Sequence, residues 1–375
     1  MQHSSVENLS LFRDNVDNGN EEVLQLDGPS LMKALSKLES ASSTTNLRRT
    51  VQDIKRDLLN IDGKLRTIES ADREIEFTSA FLLQQLDQIA SSETIERALH
   101  YVSRLKKSIS ETRVSNINDI NLNRWKEYTD ILLDSLWVID RRENSGVHSA
   151  DYWGNFIPQI PNQMMKRYTK KGDWVLDTFA GAGTTLIEGQ RLGRNTIGVE
   201  LQETVADMAR RLISHEPNVH SVTCEVINDD SRTADFCSIL QKHGQASVQL
   251  IVMHPPYHDI IRFSEDPRDL SNASSLDEFL KMMSQIVENS SKVLDRGRYL
   301  ALVIGDKYSK GEWIPLGFLT MSEVLKKGFS LKSIVVKNFE DTLGKRQQKQ
   351  LWKYRALVGG FYIFKHEYVF IFRKQ

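Results

Sequence analysis

Two spacings of apolar residues divide the chain. From about Ser30 to Leu136 they recur at intervals of three and four, with almost no strand signal. Val51, Ile54, Leu58, Ile61, Leu65 and Ile68 form an a/d seam over nearly three heptads, with charged residues filling many positions between. Ile75, Leu82, Leu86 and Ile89 continue the helical spacing. Gly63 weakens the helix inside the seam, and "STTN" at 43–46 reads as a break between helices. This predicts an all-α region over residues 31–140, preceded by a polar, partly disordered stretch at 1–30. The seam has two readings. It is the inside of a bundle packed on itself or on the second half, or it is a coiled-coil surface for another chain.

After "RRENSGVHSADYWGN" the pattern changes. Short β-rich runs alternate with helical stretches: "DWVLD" (173–177), "NTIGVE" (195–200), "SVTCEVIND" (221–229), "VQLIVM" (248–253) and "RYLALVIGD" (298–306). Helices are expected between them, including around 276–293 and 316–327. Such alternation predicts an α/β unit over 147–375 with a mostly parallel sheet covered on both faces. The last two runs, "SLKSIVVKNF" (330–339) and "FKHEYVFIFRK" (364–374), show no helix between them and are expected to form an antiparallel edge hairpin.

Composition narrows the setting. The 375 residues are 40% hydrophobic and 26% charged, with a formal net charge of -1, so overall charge neither requires nor excludes a nucleic-acid partner. The two cysteines, Cys224 and Cys237, point to a reducing compartment without a disulfide framework or a cysteine-based metal site. The N-terminus does not resemble a signal peptide, and no run of eighteen apolar residues occurs. A cytoplasmic protein with no metal and no membrane association is expected.

"VLDTFAGAGTTLIEGQRLGRNTIGVEL" carries the strongest local signal. A strand ends at Asp177. Gly181 and Gly183 permit a tight turn, Thr184 opens a helix, and the next strand ends at Glu200. An acid there suits the two hydroxyls of a ribose. The loop lacks the third glycine of a dinucleotide fingerprint and the Lys-Ser/Thr of a phosphate loop. Asp177 would repel a pyrophosphate but suits a cationic or zwitterionic ligand such as S-adenosylmethionine. Near the end of the third strand, Asp229 or Asp230 offers an acceptor for an adenine amino group; a solvated turn is the plainer reading.

A second signal is "LIVMHPPYHDII" (250–261). Two prolines fix two φ angles and remove two donors, so the backbone from His254 to Tyr257 is nearly rigid with its carbonyls free. In isolation this is a strand-ending turn.

Together these segments resemble the DNA amino-methyltransferases, which methylate adenine N6 or cytosine N4. "DTFAGAGTT" is similar to that family's cofactor loop, and "HPPY" to its tetrapeptide of Asp, Asn or Ser, two prolines and an aromatic residue. "GNFIPQIPNQMMKRYTKKGDWVLDTF" resembles the segment that folds over the methionine part of the cofactor, and "HEYVFIFRK" its edge strand. The resemblance covers roughly 147–374. It implies a Rossmann-like methyltransferase sheet and an S-adenosylmethionine site including Phe156, Asp177, Phe179, Gly181, Gly183, Thr184, Glu200 and Asp230. It also implies a catalytic set of His254, Pro255, Pro256 and Tyr257. In such a reaction the Pro255 carbonyl and a neutral His254 ring accept hydrogen bonds from the target amine, and Tyr257 stacks on the base. His254 departs from the family pattern, which leaves adenine or cytosine open as the target.

The implied partner is double-stranded DNA. The loop 339–360 contains Lys345, Arg346, Lys349, Lys353 and Arg355 with Trp352 and Tyr354 interleaved, a composition suited to phosphates and bases. A solvated charged loop is the alternative. Segment 257–275 is a candidate for closing over a flipped base, and Asp306 and Lys307 for facing the site. The expected activity is site-specific DNA methylation in restriction–modification or phage defence. The N-terminal helices are expected to mediate a homodimer or to hold a separate specificity or restriction subunit. Methylation of RNA or a protein amide, and a catalytically weak subunit, are the competing readings.

Overall fold

The computed structural model describes residues 22–148, 154–339 and 349–375. The described chain forms two compact units, one reaching to Arg113 and including 121–129, the other comprising 114–120 and 130–375.

The N-terminal unit is helical, but not wholly so. Strand β1 (Val23–Asp27) pairs antiparallel with β2 (Glu74–Thr78), Leu24 facing Phe77. The expectation of an all-α region is corrected by this ribbon. Its strands are five residues each, too short for a strand pattern to stand out against helical spacing. Four helices complete the unit: α1 (Gly28–Glu39), α2 (Thr44–Leu59), α3 (Ser79–Ala90) and α4 (Ile95–Ser110). Asp27, Ser43, Thr78 and Thr94 cap their N-termini with side-chain oxygens. "STTN" is thus the start of α2, as its break signal required. The heptad seam does not run through. Helix α2 stops at Leu59, and Asp57 accepts the backbone N–H groups of Lys64 and Leu65, both at 3.0 Å, folding the chain back. Val51, Ile54, Leu58 and Leu65 lie in the unit's own core, whereas Ile61 is 80% exposed. The seam is therefore occupied internally.

In the second unit a sheet of eight strands runs in the order β3-β11-β12-β8-β7-β4-β5-β6. These are β3 (Leu136–Trp137), β4 (Trp174–Asp177), β5 (Asn195–Glu200), β6 (Cys224–Asn228), β7 (Val248–Met253), β8 (Leu294–Ile304), β11 (Phe329–Asn338) and β12 (His366–Lys374). A small hairpin, β9 (Lys307–Ser309) with β10 (Glu312–Ile314), stands apart. Strands β6, β5, β4, β7 and β8 are mutually parallel, and β12 runs antiparallel to both β8 and β11. This is the predicted α/β sheet with its antiparallel edge hairpin, and the two-residue β3 lies outside it. The helices are α5 (Gln159–Tyr168), α6 (Thr184–Leu192), α7 (Glu203–His215), α8 (Phe236–Gln241), α9 (Leu276–Ser291), α10 (Leu316–Leu325) and α11 (Lys349–Gly359). Helix α11 sits in the edge-hairpin connection, where none was expected. Its residues are largely exposed, so it lacks the one-sided apolar spacing by which a helix is recognised. Apolar layers cover both faces of the sheet. Phe279, Met283, Phe370 and Phe372 lie in one cluster, and Ile160, Met165, Val175 and Val369 in another.

Candidate active site

Strands β4 and β7 are neighbours in the sheet, with Asp177 opposite Val252. The loop that follows each therefore opens at the same edge of the sheet. In parallel α/β sheets this edge, beyond the carboxyl ends of the strands, is where ligands bind.

The loop after β4 is held by its own acids. Asp177 is fully buried, and its Oδ1 accepts the Phe179 N–H at 2.9 Å. Its Oδ2 is buried beside the Thr185 hydroxyl, which stabilises the carboxylate without forming a well-aligned hydrogen bond. Burial pushes this carboxyl up to about 6. Gly181 and Gly183 take φ of 51° and 86°, backbone that side chains disfavour, and Gly183 caps α6. A Cβ on Gly183 would meet Ile213 at 3.2 Å and Ala209 at 3.3 Å on α7. This glycine thus fits the loop against α7. Glu200 lies at the end of β5, where its Oε2 accepts from Gly181 N–H and its Oε1 from Gln202 N–H, both at 3.0 Å. Burial raises its pKa as well. Thr184 is buried at the start of α6, and Phe179 is half-buried against the core.

Asp230 is otherwise engaged. Arg232 grips both of its oxygens, with Nη2 at 2.7 Å from Oδ2. The neighbouring Asp229 is half-buried and accepts the Asp230 N–H at 2.7 Å, so it is the less committed carboxylate of the two.

The tetrapeptide follows β7. Pro255 is buried, and His254, Pro256 and Tyr257 are half-buried. Phe156 reaches His254 rather than standing apart from it, with ring centroids 4.8 Å apart. His254 Nε2 lies 3.3 Å from the Tyr257 hydroxyl, which donates to Glu367 Oε2 at 2.8 Å. Lys337 Nζ donates to Glu367 Oε1 at 2.9 Å. Lys337 and Glu367 are cross-strand partners on β11 and β12. Burial lowers the His254 pKa to about 4, and it raises that of Tyr257 well above the usual phenol value. For Glu367 burial acts upward, but the Lys337 ammonium prevails and holds the carboxyl below its usual range. The site thus contains a neutral imidazole and a buried ion pair joined through a phenol.

Neither Glu367 nor Lys337 was singled out from the sequence. The signal was one charge of each sign inside otherwise apolar strands, "SIVVKNF" and "HEYVFIF". Beyond Tyr257 the chain turns at His258, whose φ is 54°. Lys307 holds that turn, donating to His258 Nδ1 at 2.7 Å and pairing with Asp259, while His258 Nε2 lies 3.2 Å from the Ala273 carbonyl. Lys307 is therefore spent on the loop. Asp306 is likewise used internally, accepting from Trp313 Nε1, the Gly317 N–H and the Tyr368 hydroxyl.

Of the basic loop, Lys345 and Arg346 lie outside the described residues, and only the backbone of Lys349 is described. Lys353, Tyr354 and Arg355 are exposed on α11, with the Arg355 guanidinium 5.4 Å from the centre of the Trp352 ring. The segment after α11 rests on the small hairpin through Tyr308–Phe361 and Trp313–Phe364, at 4.1 and 4.2 Å. Among the described residues no group of three or more His, Cys, Asp or Glu is placed to hold a metal, and no helix is long and apolar enough to cross a membrane.

Comparison with known proteins bears on this arrangement. A family model described as DNA methylase matches residues 83–211, a span that takes in the glycine loop after β4 and Glu200 and ends before the tetrapeptide. Three type II methyltransferases are similar over shorter stretches. M.MjaII of Methanocaldococcus jannaschii is 37% identical over 73 residues, covering 19% of this chain and 13% of that protein. M.MthZI of Methanothermobacter thermautotrophicus is 30% identical over 108 residues, covering 28% and 29%. M2.DpnII of Streptococcus pneumoniae is 31% identical over 100 residues, covering 25% and 34%. The chain thus matches about a third or less of the length of each. Over these segments the chain is similar to DNA methylases. Among solved structures, TrmN from Thermus thermophilus aligns with a TM-score of 0.37 at 16% identity, over 60% of this chain and 50% of that one.

Proposed function

We propose that the chain is a site-specific DNA methyltransferase. It would transfer the methyl group of S-adenosylmethionine to the exocyclic amine of a flipped adenine or cytosine, in restriction–modification or phage defence. The observation that carries this is the adjacency of β4 and β7, which brings the glycine loop and the His-Pro-Pro-Tyr segment to one edge of the sheet. The residues fit the cofactor. The buried Asp177 carboxylate, with Thr185 and the Phe179 N–H as its hydrogen-bond neighbours, offers negative charge to a cationic group, and Glu200 keeps acceptor capacity for ribose hydroxyls. Asp229 suits the adenine amino group better than Asp230, given the Arg232 clamp. When bound, S-adenosylmethionine supplies an electrophilic methyl group.

The chain's own task is to prepare the amine. Its lone pair is delocalised into the base ring. Two fixed acceptors facing its two protons favour a tetrahedral nitrogen and free that lone pair. The Pro255 carbonyl and the neutral His254 ring are those acceptors, and Tyr257 flanks the base. Taking the base out of the duplex costs a few kcal/mol. Lys349, Lys353, Arg355 and Trp352 on α11, with Lys345 and Arg346 before it, supply charge and rings for the DNA backbone and the displaced strand. The N-terminal unit remains the candidate for a homodimer or for a specificity or restriction subunit. Val51, Ile54, Leu58 and Leu65 of its seam are internal, so such docking would use its outer surface.

The test is incubation of the full chain with labelled S-adenosylmethionine and separate pools of mixed-sequence duplex DNA, RNA and protein. Label on N6-methyladenine or N4-methylcytosine at a defined site is the expected result. Label confined to RNA or protein, or none at all, overturns the proposal.

A further inference from the structure

The Tyr257 hydroxyl has one proton and two side-chain neighbours, Glu367 Oε2 at 2.8 Å and His254 Nε2 at 3.3 Å, while the Gly305 backbone N–H donates to its oxygen. Glu367 is ion-paired with Lys337, so its oxygens only accept. The shorter contact therefore takes the phenol proton. The Tyr257 oxygen is left as an acceptor, and His254 Nε2 can meet it only as a donor. The ring must then carry its proton on Nε2 and its lone pair on Nδ1; among the described residues the ring's hydrogen-bond contact is made through Nε2. Phe156, tilted 45° against the ring, limits its rotation.

We propose that Lys337 and Glu367 are positioning residues that act through Tyr257 to fix His254 as the Nε2–H tautomer, so that Nδ1 is the acceptor for the target amine. The arrangement substitutes for the carbonyl or carboxylate oxygen of the Asn or Asp usual at this place. An imidazole accepts at one nitrogen only, so its tautomer must be set by a neighbour. The catalytic consequence rests on the methyltransfer reading, but the tautomer itself does not.

The test reads the two separately. Nitrogen-15 correlation spectra of the intact, histidine-labelled chain, with His254 assigned by comparison with His254→Asn, report which ring nitrogen is protonated without cofactor or DNA. The expected result is protonated Nε2 and bare Nδ1. In Glu367→Gln, Lys337 still requires an acceptor, so the amide oxygen faces Lys337 and the amide N–H faces Tyr257. The phenol proton then turns to His254 Nε2, and the ring shifts toward the Nδ1–H form. Methyl transfer should fall about tenfold or more in kcat, with cofactor affinity unchanged. Lys337→Met, which releases the carboxyl to take up a proton, should shift the ring the same way. A parent ring protonated on Nδ1 overturns the proposal, as does an unchanged tautomer in folded Glu367→Gln. If the tautomer behaves as stated but no nucleic acid is methylated, the functional reading fails and the tautomer assignment stands.

Discussion

Asp177 shows at the scale of one residue how a proposed binding group is carried at the expense of stability. Its carboxyl is fully buried, and burial lifts its pKa from the ordinary 3.8 to about 6. A carboxyl whose folded pKa exceeds its unfolded one adds stability at low pH, and that contribution is lost as pH rises through about 6. At pH 7.5 the buried carboxylate is therefore a destabilising charge. In Asp177→Asn the amide oxygen can keep the Phe179 N–H, and the amide nitrogen can meet Thr185 Oγ1. The expected outcome is a cofactor-free protein more stable than the parent at pH 7.5, by up to about 3 kcal/mol. The gain should shrink toward pH 5, where the parent carboxyl is mostly protonated. Cofactor affinity should fall tenfold or more, because the opposing charge is gone. Thermal unfolding at the two pH values and calorimetric titration with S-adenosylmethionine check both parts. Much of this site was legible as residue types in order. Asp177, the two glycines and Glu200 are contiguous with the strands that position them, so local sequence sufficed. Glu367 and Lys337 escaped because their meaning depends on their cross-strand pairing with each other and on the hydrogen bond Glu367 accepts from Tyr257, more than a hundred positions away.

Elements followed the same division between local and distant causes. Strands β5 and β7 coincide with "NTIGVE" and "VQLIVM", since buried parallel strands are continuous apolar runs bounded by turns. The hairpin β9–β10 was missed. Lys310 and Gly311 at its tip have φ of 53° and 86°, the pattern of a type I′ turn, but its strands are three residues each, too short to show alternation. The end of β8 matters more for chemistry. Gly305, directly after it, lies under the Tyr257 ring, and a Cβ there would come within 2.9 Å of Cε2 and 3.3 Å of Cδ2. Gly305→Ala must displace the ring and with it the hydroxyl that joins His254 to Glu367. Methyl transfer is expected to fall at least about tenfold while cofactor affinity holds, because the β4 loop is untouched. Single-turnover rates alongside calorimetry would show it. An unchanged rate would mean that the ring's exact placement is immaterial.

At the scale of the whole chain, the sequence signalled a change of pattern near residue 140, yet the structural division falls earlier and is interleaved. Residues 114–120 and 130–140 belong to the second unit although their composition resembles neither strand nor helix. Their role is fixed by tertiary partners. Asp119 pairs with the buried Arg194 at 3.1 Å, Asn118 Nδ2 donates to the Arg167 carbonyl at 2.7 Å, and the Ile117 carbonyl accepts from Arg298 at 3.0 Å. Trp137, 2% exposed, fills the core beside Ile160 and Val335. Removing residues 1–140 would take the half-exposed Asp119 from the buried Arg194, which keeps Asp173 nearby, and would empty the Trp137 site at a cost of roughly 3–5 kcal/mol. Removing only 1–113 leaves both intact. The chain starting at residue 114 is therefore expected to unfold cooperatively and bind S-adenosylmethionine, whereas the chain starting at 141 should melt well over 10 °C lower or fail to fold. Circular-dichroism melts of the two truncated chains, with and without the cofactor, measure the difference. Equal melting temperatures would show that these connecting residues ride on the second unit without supporting it.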